Sequence, residues 1–153
     1  MRGGEYTDMY LEAVGRTLRA IREQEMDRIL EVAELMADEI AEDKLIHVYG
    51  TGGHSIMGAE EMFMRSGGLV PINPIWDQGM SLIFGVKIVE RVSGYAKTMI
   101  EYYEVNDGDL LIIISIPGIN AVTVDAALEA KSRGAVVVGI SSKEFCDQVP
   151  HGH

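Results

Sequence analysis

Two polar loops that contain glycine carry the residues best suited to ligand chemistry. The first covers residues 50–55 (GTGGHS) and the second covers residues 115–120 (SIPGIN). Each follows a short apolar run and precedes a helix-like segment, and Ser55 and Asn120 are residue types that commonly begin helices. Free backbone N–H groups and the positive end of a helix dipole would face any ligand there. The two loops therefore predict a site for an anion such as phosphate.

The same loops do not fit a nucleotide cofactor. A dinucleotide fingerprint requires glycine at position 55, where Ser55 stands, and an acidic residue after the second strand, where none occurs before Asp77. No Lys-Ser or Lys-Thr pair follows the glycines, so the phosphate loop of nucleotide hydrolases is also excluded. A phosphorylated or polyol-bearing small molecule fits better, and we predict no cofactor. The alternative is a tight strand-to-helix turn that uses glycine for steric reasons alone.

The sequence does not predict a metal site. Cys146 is the single cysteine, and no two pairs of ligands have the spacing of a zinc centre. His47 falls within the first apolar run and is expected to be a core or edge residue. His151 and His153 are two residues apart at the end of the chain and could assist a metal or a neighbouring site.

The elements that position the loops have the pattern of an α/β fold. Residues 44–153 contain four short apolar runs without polar alternation, which is typical of parallel strands buried on both faces. Helix-like segments separate them, so we predict a parallel sheet between helices. In the flavodoxin-like order 2-1-3-4, both loops lie at the switch point between the first and third strands. The runs are Leu45–Tyr49, Leu69–Ile72, Leu110–Ser115 and Ala135–Ile140, and the helical segments are Ser55–Arg65, Ile88–Glu104 with a break at Ser93 and Gly94, and Ala121–Arg133.

Two further segments complete the organisation. Residues 1–43 carry apolar residues every three or four positions, which predicts one long amphipathic helix or two helices broken near Gln24. This segment is expected to pack against its own sheet or against a helix of a partner subunit. Residues 73–87 read as an ordered apolar connection in which Trp76 is expected to plug the edge of the core, with a pocket or an interface as the alternative. Overall we predict one structural domain, with a helical segment 1–43 and an α/β domain 44–153.

The amino-acid composition limits the classes of binding partner that the protein can have. The chain has 153 residues and a net charge of −11, and 47% of its residues are hydrophobic. No cluster of Lys and Arg is present, so nucleic acid and an anionic membrane are excluded as partners. The longest apolar runs fall far short of the roughly 20 residues that span a bilayer. The first residues also lack the apolar core of a signal peptide, so we expect a cytoplasmic location.

Residues 46–55, 59–63 and 65–69 resemble the SIS (sugar isomerase) domain, closest to its phosphosugar-binding subgroup, and residues 90–97, 108–122 and 127–135 agree. The resemblance implies a three-layer α/β/α sandwich, a sugar phosphate as ligand, and a homodimer or homotetramer that shares its sites. It also implies about one more strand and helix after Pro150, so the sheet is expected to stop early. By position, the residues implied in substrate binding are Thr51, Gly52, Gly53, His54, Ser55, Ser115, Gly118 and Asn120.

The second loop departs from the family pattern. Pro117 replaces a serine, and Ile116 and Ile119 replace polar or basic residues. This exchange removes a hydroxyl group and a backbone donor that would contact phosphate. The phosphoheptose isomerase branch has a glutamate, as base or metal ligand, where this chain has Met64.

The nearest acidic residues are Glu60 and Glu61, one turn earlier on the same predicted helix. Aldose–ketose isomerisation needs a base and an acid that protonates the carbonyl oxygen. We expect Glu61 or Glu60 to act as the base and His54 to polarise the carbonyl or carry the proton. The alternatives are a solvated or intersubunit-paired role for the two glutamates, a non-catalytic phosphosugar sensor, or a lyase or etherase acting on an amino-sugar phosphate.

Overall fold

The computed structural model describes residues 3–63, 65–83 and 85–149. Met64, His151 and His153 lie outside the described residues. The helices are α1 (Gly3–Gln24), α2 (Met26–Ala41), α3 (Ile56–Phe63), α4 (Val86–Val89), α5 (Tyr95–Tyr102), α6 (Ala121–Ser132) and α7 (Lys143–Gln148). The strands are β1 (Ile46–Gly50), β2 (Ile72–Ile75), β3 (Leu110–Ile114) and β4 (Val136–Ile140).

The four strands form one parallel sheet in the order β2-β1-β3-β4. This confirms the predicted fold class and the predicted strand order. In the central pair, Ile46 lies opposite Leu110 and Gly50 lies opposite Ile114. The carboxyl ends of β1 and β3 therefore finish level with each other.

Helices cover both faces of the sheet. Successive side chains of a strand point to opposite faces. Tyr49 and Ile113 belong to a buried cluster with Ile100 of α5 and Val122 of α6. Gly58 of α3 approaches Ile114 so closely that a Cβ there would lie 2.5 Å from the Ile114 side chain. The result is an α/β/α sandwich with the core on both sides of β1 and β3.

The second strand begins later than predicted, at Ile72 rather than Leu69. Leu69 and Val70 are exposed, and the first contact with β1 is a hydrogen bond from Ile46 N to Pro71 O. Apolar composition alone placed the strand too early, because hydrogen bonding to β1 sets its start. Pro74 is tolerated within β2 because β2 is an edge strand.

The N-terminal helices divide where the sequence predicts, since α1 ends at Gln24 and α2 begins at Met26. The chain separates into two compact units, residues 1–37 and residues 38–153. Residues 1–43 hold 12 of the 24 acidic and 5 of the 13 basic side chains, which accounts for −7 of the net charge. No helix within the described ranges is long and apolar enough to cross a membrane.

Candidate functional site

The two predicted loops lie side by side at the carboxyl edge of the sheet. Thr51 N donates a hydrogen bond of 3.0 Å to Ile114 O, which joins the start of the first loop to the end of β3. Ser115 N in turn bonds to Ile140 O of β4. The order 2-1-3-4 places this junction at the topological switch point, where open α/β sheets bind ligands. We refer to the space between residues 50–55 and 115–120 as the crevice.

A chain of three buried hydroxyl groups links the loops. The Oγ1 atoms of Thr51 and Thr123 are 2.7 Å apart, and Thr123 Oγ1 donates to Ser115 Oγ at 3.2 Å. Ser115 Oγ also accepts a bond from Gly118 N at 3.2 Å. A serine hydroxyl has two acceptor positions and one hydrogen, so Ser115 retains its own O–H as a donor. Thr123 was not predicted, because it lies one turn inside α6 and matches no loop motif.

The glycines of the first loop differ in whether packing requires them. A Cβ on Gly50 would collide with backbone atoms of Ser55 and Ile56, and one on Gly53 would collide with Leu82. Those two glycines are explained by packing alone, as the steric alternative proposes. A Cβ on Gly52 would have ordinary contacts, 3.6 Å from Ser55 Oγ and 3.8 Å from Glu90 Oε2. Gly52 is buried, but unlike Gly50 and Gly53 it is not explained by a steric collision.

Glu90 lies between the two loops. Its side chain is 15% exposed, and its Oε2 atom is the one 3.8 Å from the Cβ position of Gly52. Its backbone carbonyl accepts a hydrogen bond of 3.1 Å from Val122 N at the start of α6. This places a carboxylate at the crevice. From the sequence, Glu90 was noted only as part of the family resemblance and not as a site residue.

Several backbone positions of the second loop and of the start of α6 cannot donate to an anion. Gly118 N is bonded to Ser115 Oγ, Val122 N is bonded to Glu90 O, and Pro117 has no N–H. Gly118 adopts a φ of +67°, a conformation that favours glycine. Asn120 precedes α6 but its side chain makes no capping hydrogen bond. Its amide group is therefore not used in closing the helix.

The predicted acid–base residues lie elsewhere on α3. Glu61 forms a double hydrogen bond with Arg65, at 2.6 and 3.0 Å, and this bond lowers the pKa of Glu61. Glu60 and Glu61 line a separate hollow that shares no residue with residues 50–55 or 115–120. His54 is exposed at the start of the turn into α3, whereas Ser55 is buried.

His47 is held inside the sheet, as expected. It is 5% exposed, and its Nδ1 lies 3.2 Å from Asn73 Nδ2. Its Nε2 lies 3.8 Å from Asp109 Oδ2, just before β3. Burial lowers the pKa of His47, and Asp109 partly opposes the shift. His47 therefore lies toward the amino ends of the strands, away from the crevice. No group of three possible metal-binding side chains occurs in the part of the chain that the structure describes.

The connection after β2 is anchored by a buried carboxylate. Asp77 is 3% exposed and accepts hydrogen bonds from Tyr49 Oη at 2.9 Å, Tyr95 Oη at 2.8 Å and Gly79 N at 2.8 Å. Burial and the bond to Asp77 raise the pKa of Tyr95 to about 12. Trp76 was expected to plug the core, but its side chain is 47% exposed and lines the hollow beside Glu61. Met80 is fully buried in its place.

The sheet order and the paired loops at the switch point define the class of this protein, an α/β/α sandwich whose switch point lies between β1 and β3. The chain belongs to the SIS domain family, whose model matches residues 9–142. The resemblance deduced from residues 46–69 is thus confirmed.

Two relatives are named only as UPF0309 proteins. The chain is 36% identical over 142 residues to a UPF0309 protein of Caldanaerobacter subterraneus, covering 90% of this chain and 57% of that protein. It is 32% identical over 151 residues to a UPF0309 protein of Brucella ovis, covering 97% and 62%. The chain therefore spans about three fifths of the length of these relatives.

Two solved structures share the fold. The phosphoheptose isomerase of Neisseria gonorrhoeae superposes with a TM-score of 0.71 at 18% identity, covering 97% of this chain and 81% of that one. The phosphoheptose isomerase of Francisella tularensis gives a TM-score of 0.70 at 15% identity, covering 95% and 78%. At these identities the likeness establishes the fold alone.

Proposed function

We propose that this chain binds a sugar phosphate in the crevice and transfers a proton on the bound sugar. The observation that carries the proposal is the carboxylate of Glu90 beside Gly52, between two loops joined by buried hydroxyls. Membership of the SIS family and the shared fold with phosphoheptose isomerases support the ligand class.

The proposed reaction is aldose–ketose isomerisation. A base removes the proton from the carbon next to the carbonyl, and an acid protonates the carbonyl oxygen to give an enediol. The base then delivers its proton to the former carbonyl carbon, and the hydroxyl group on the neighbouring carbon returns a proton to the group that acted as the acid, so that the new carbonyl forms there. Glu90 is our base, because its carboxylate lies beside Gly52 and has only a 3.9 Å ion pair with Arg91, whereas the sequence-derived candidate Glu61 is held by two hydrogen bonds to Arg65. Ser115, which retains an O–H, and His54 are the proposed donors to the carbonyl oxygen.

The first loop is the proposed phosphate site. No steric collision requires the glycine at position 52, and Thr51, Gly53 and Ser55 complete the turn into α3. The second loop has fewer free N–H groups, so we assign Ser115, Gly118 and Asn120 to the sugar hydroxyls instead.

The second candidate function is a non-catalytic sensor of phosphosugars. The observation that favours it is the commitment of Gly118 N and Val122 N to bonds within the protein. A lyase or etherase acting on an amino-sugar phosphate would need the same carboxylate. Proton exchange separates the isomerase from the sensor, and product analysis separates the isomerase from the lyase.

The test is solvent-deuterium exchange into aldose and ketose phosphates, including a phosphoheptose. We expect deuterium at the carbon next to the carbonyl. Glu90→Gln should abolish exchange, whereas Glu101→Gln, an exposed carboxylate on α5, should leave it unchanged. Binding is followed separately by thermal shift, since a ligand at about 100 times its Kd adds about 2.7 kcal/mol of stability.

The results of the exchange and thermal-shift experiments distinguish the proposed functions. A thermal shift without exchange in the wild type would support the sensor. Loss of exchange in Glu61→Gln but not in Glu90→Gln would restore the base expected from the sequence. A shift with neutral sugars only would exclude phosphate as the recognised group.

We further propose a homodimer or homotetramer in the cytoplasm. Large apolar side chains on α1 and α2 are exposed, including Tyr10 (68%), Leu18 (61%) and Leu30 (55%), and such residues are typical of surfaces that a second copy covers. The lone Cys146 fits a reducing compartment.

A further inference from the structure

A second hollow, outside the crevice, has the composition of a ligand site. It has a volume of about 430 Å³ and is lined by Glu60, Glu61, Phe63, Arg65, Pro74 and Trp76. We call it the aromatic hollow. Its size falls within the roughly 300–1,000 Å³ of small-molecule sites. None of its residues belongs to the loops of the proposed phosphosugar site.

Two large aromatic side chains are held open to solvent in this hollow. Phe63 is 48% exposed and Trp76 is 47% exposed. The backbone of Trp76 is fixed on both sides by one hydroxyl, because Trp76 N donates to Tyr103 Oη at 2.8 Å and Tyr103 Oη donates to Trp76 O at 3.1 Å. An exposed indole on a fixed backbone loses little conformational freedom when a ligand stacks on it.

The polar side of the hollow selects against anions. Glu60 and Glu61 bring two negative charges and Arg65 brings one positive charge, so the lining is net negative. Arg65 already holds Glu61 through two hydrogen bonds, and these fix the orientation of both groups. A phosphate would meet the Glu60 carboxylate, whereas hydroxyl and ammonium groups can donate to it.

We infer that the aromatic hollow binds a sugar ring that carries no phosphate, neutral or with an amino group. One face of a pyranose ring presents C–H groups, which are attracted to the electron-rich face of an indole or phenyl ring. Its hydroxyls lie around the edge of the ring, where Glu60 accepts hydrogen bonds and the Glu61–Arg65 pair supplies both a donor and acceptors. An ammonium group adds attraction to the net negative lining. This site is independent of the proposed reaction in the crevice.

The test uses the fluorescence of Trp76, the only tryptophan of the chain. D-Glucosamine and D-glucose should each produce a saturable change in emission, with glucosamine tighter. Glucose 6-phosphate should bind this site at least about tenfold more weakly than glucose, a difference of about 1.4 kcal/mol. Because a phosphorylated sugar can also enter the crevice, the titrations are repeated in Ser115→Ala, which should leave the glucosamine response unchanged.

Matched variants separate the hollow from general effects. Phe63→Leu and Glu60→Gln should each weaken glucosamine binding about tenfold while keeping the reporter. Phe145→Leu, whose side chain has the same 48% exposure but lies on α7, should not change it. Trp76→Leu, followed by calorimetry, should remove binding.

Two results would overturn the inference. One is the lack of any saturable change with either sugar in a folded wild-type protein. The other is an emission change that follows protein concentration and not sugar, which would make the hollow a contact between copies of the chain. Neither result bears on deuterium exchange in the crevice, so the two proposals fail separately.

Discussion

The three glycines of the first loop have different structural roles. Gly50 and Gly53 are required by packing, whereas Gly52 has room for a side chain and faces Glu90. The sequence indicates a glycine loop but does not distinguish these roles, because the colliding atoms belong partly to Leu82, far along the chain. The hydrogen bond between Thr51 and Thr123 is likewise not evident from the sequence, because the two residues are far apart along the chain.

This difference predicts contrasting effects of alanine. Gly50→Ala should destabilise the protein by about 1–3 kcal/mol, because backbone atoms of Ser55 and Ile56 must move. Gly52→Ala should change the free energy of unfolding by less than about 1 kcal/mol but should weaken sugar phosphate binding. Urea denaturation and ligand-induced thermal shifts measure the two effects. Equal destabilisation by both substitutions would show that Gly52 also serves packing.

At the scale of elements, one carboxylate fixes the connection between β2 and α4. Asp77 binds Tyr49 of β1, Tyr95 of α5 and its own turn at Gly79. This connection brings Leu82 onto Gly53 and leads to Glu90, so the cluster positions part of the crevice. Tyr49 and Tyr95 lie 28 and 18 residues from Asp77 in the sequence, so their contacts produce no local sequence pattern. For this reason residues 73–87 were predicted only as an ordered connection.

Tyr95→Phe should therefore lower the free energy of unfolding by about 1–2 kcal/mol, since Asp77 loses one donor in a buried site. Tyr102→Phe, at 78% exposure, is the matched control and should change little. Both are measured by chemical denaturation at neutral pH. A Tyr95→Phe variant as stable as the wild type would mean that Tyr49 and Gly79 suffice to satisfy the carboxylate.

The same tyrosine contributes a pH dependence. The pKa of Tyr95 rises from 10.0 to about 12 in the folded protein, so the neutral form is favoured by folding. Above pH 10 the unfolded chain loses this proton more readily than the folded one, and stability falls as the pH rises toward 12. Tyr95→Phe should make the stability curve less steep in this window, and Tyr49, whose pKa burial also raises, should account for the slope that remains.

At the scale of the whole molecule, charge and apolar surface are unevenly distributed. Residues 1–43 carry most of the net negative charge, so the α/β part with its crevice is much closer to neutral. The acidity of the whole chain therefore does not oppose an anionic ligand. The helices α1 and α2 also leave large apolar side chains exposed.

If α1 forms the contact between copies, Leu18→Glu should reduce the molar mass in solution, since a buried unpaired charge opposes association. Leu128→Glu on α6 starts from the same 61% exposure and serves as the control. Size-exclusion chromatography with light scattering measures the mass. A loss of mass in Leu128→Glu alone would move the contact to the β4 side of the sheet.

The sequence by itself determined the fold class, the four strands and the family, because hydrophobic periodicity and loop motifs are local signals. It also marked Thr51, Ser115 and their loops, since both follow apolar strands directly. Only the tertiary structure decided which carboxylate faces those loops. Glu61 is captured by Arg65 four residues away, whereas Glu90 reaches Gly52 because Asp77 and its tyrosines hold the connection in place. Such placements depend on contacts between distant residues, and no spacing along the chain encodes them.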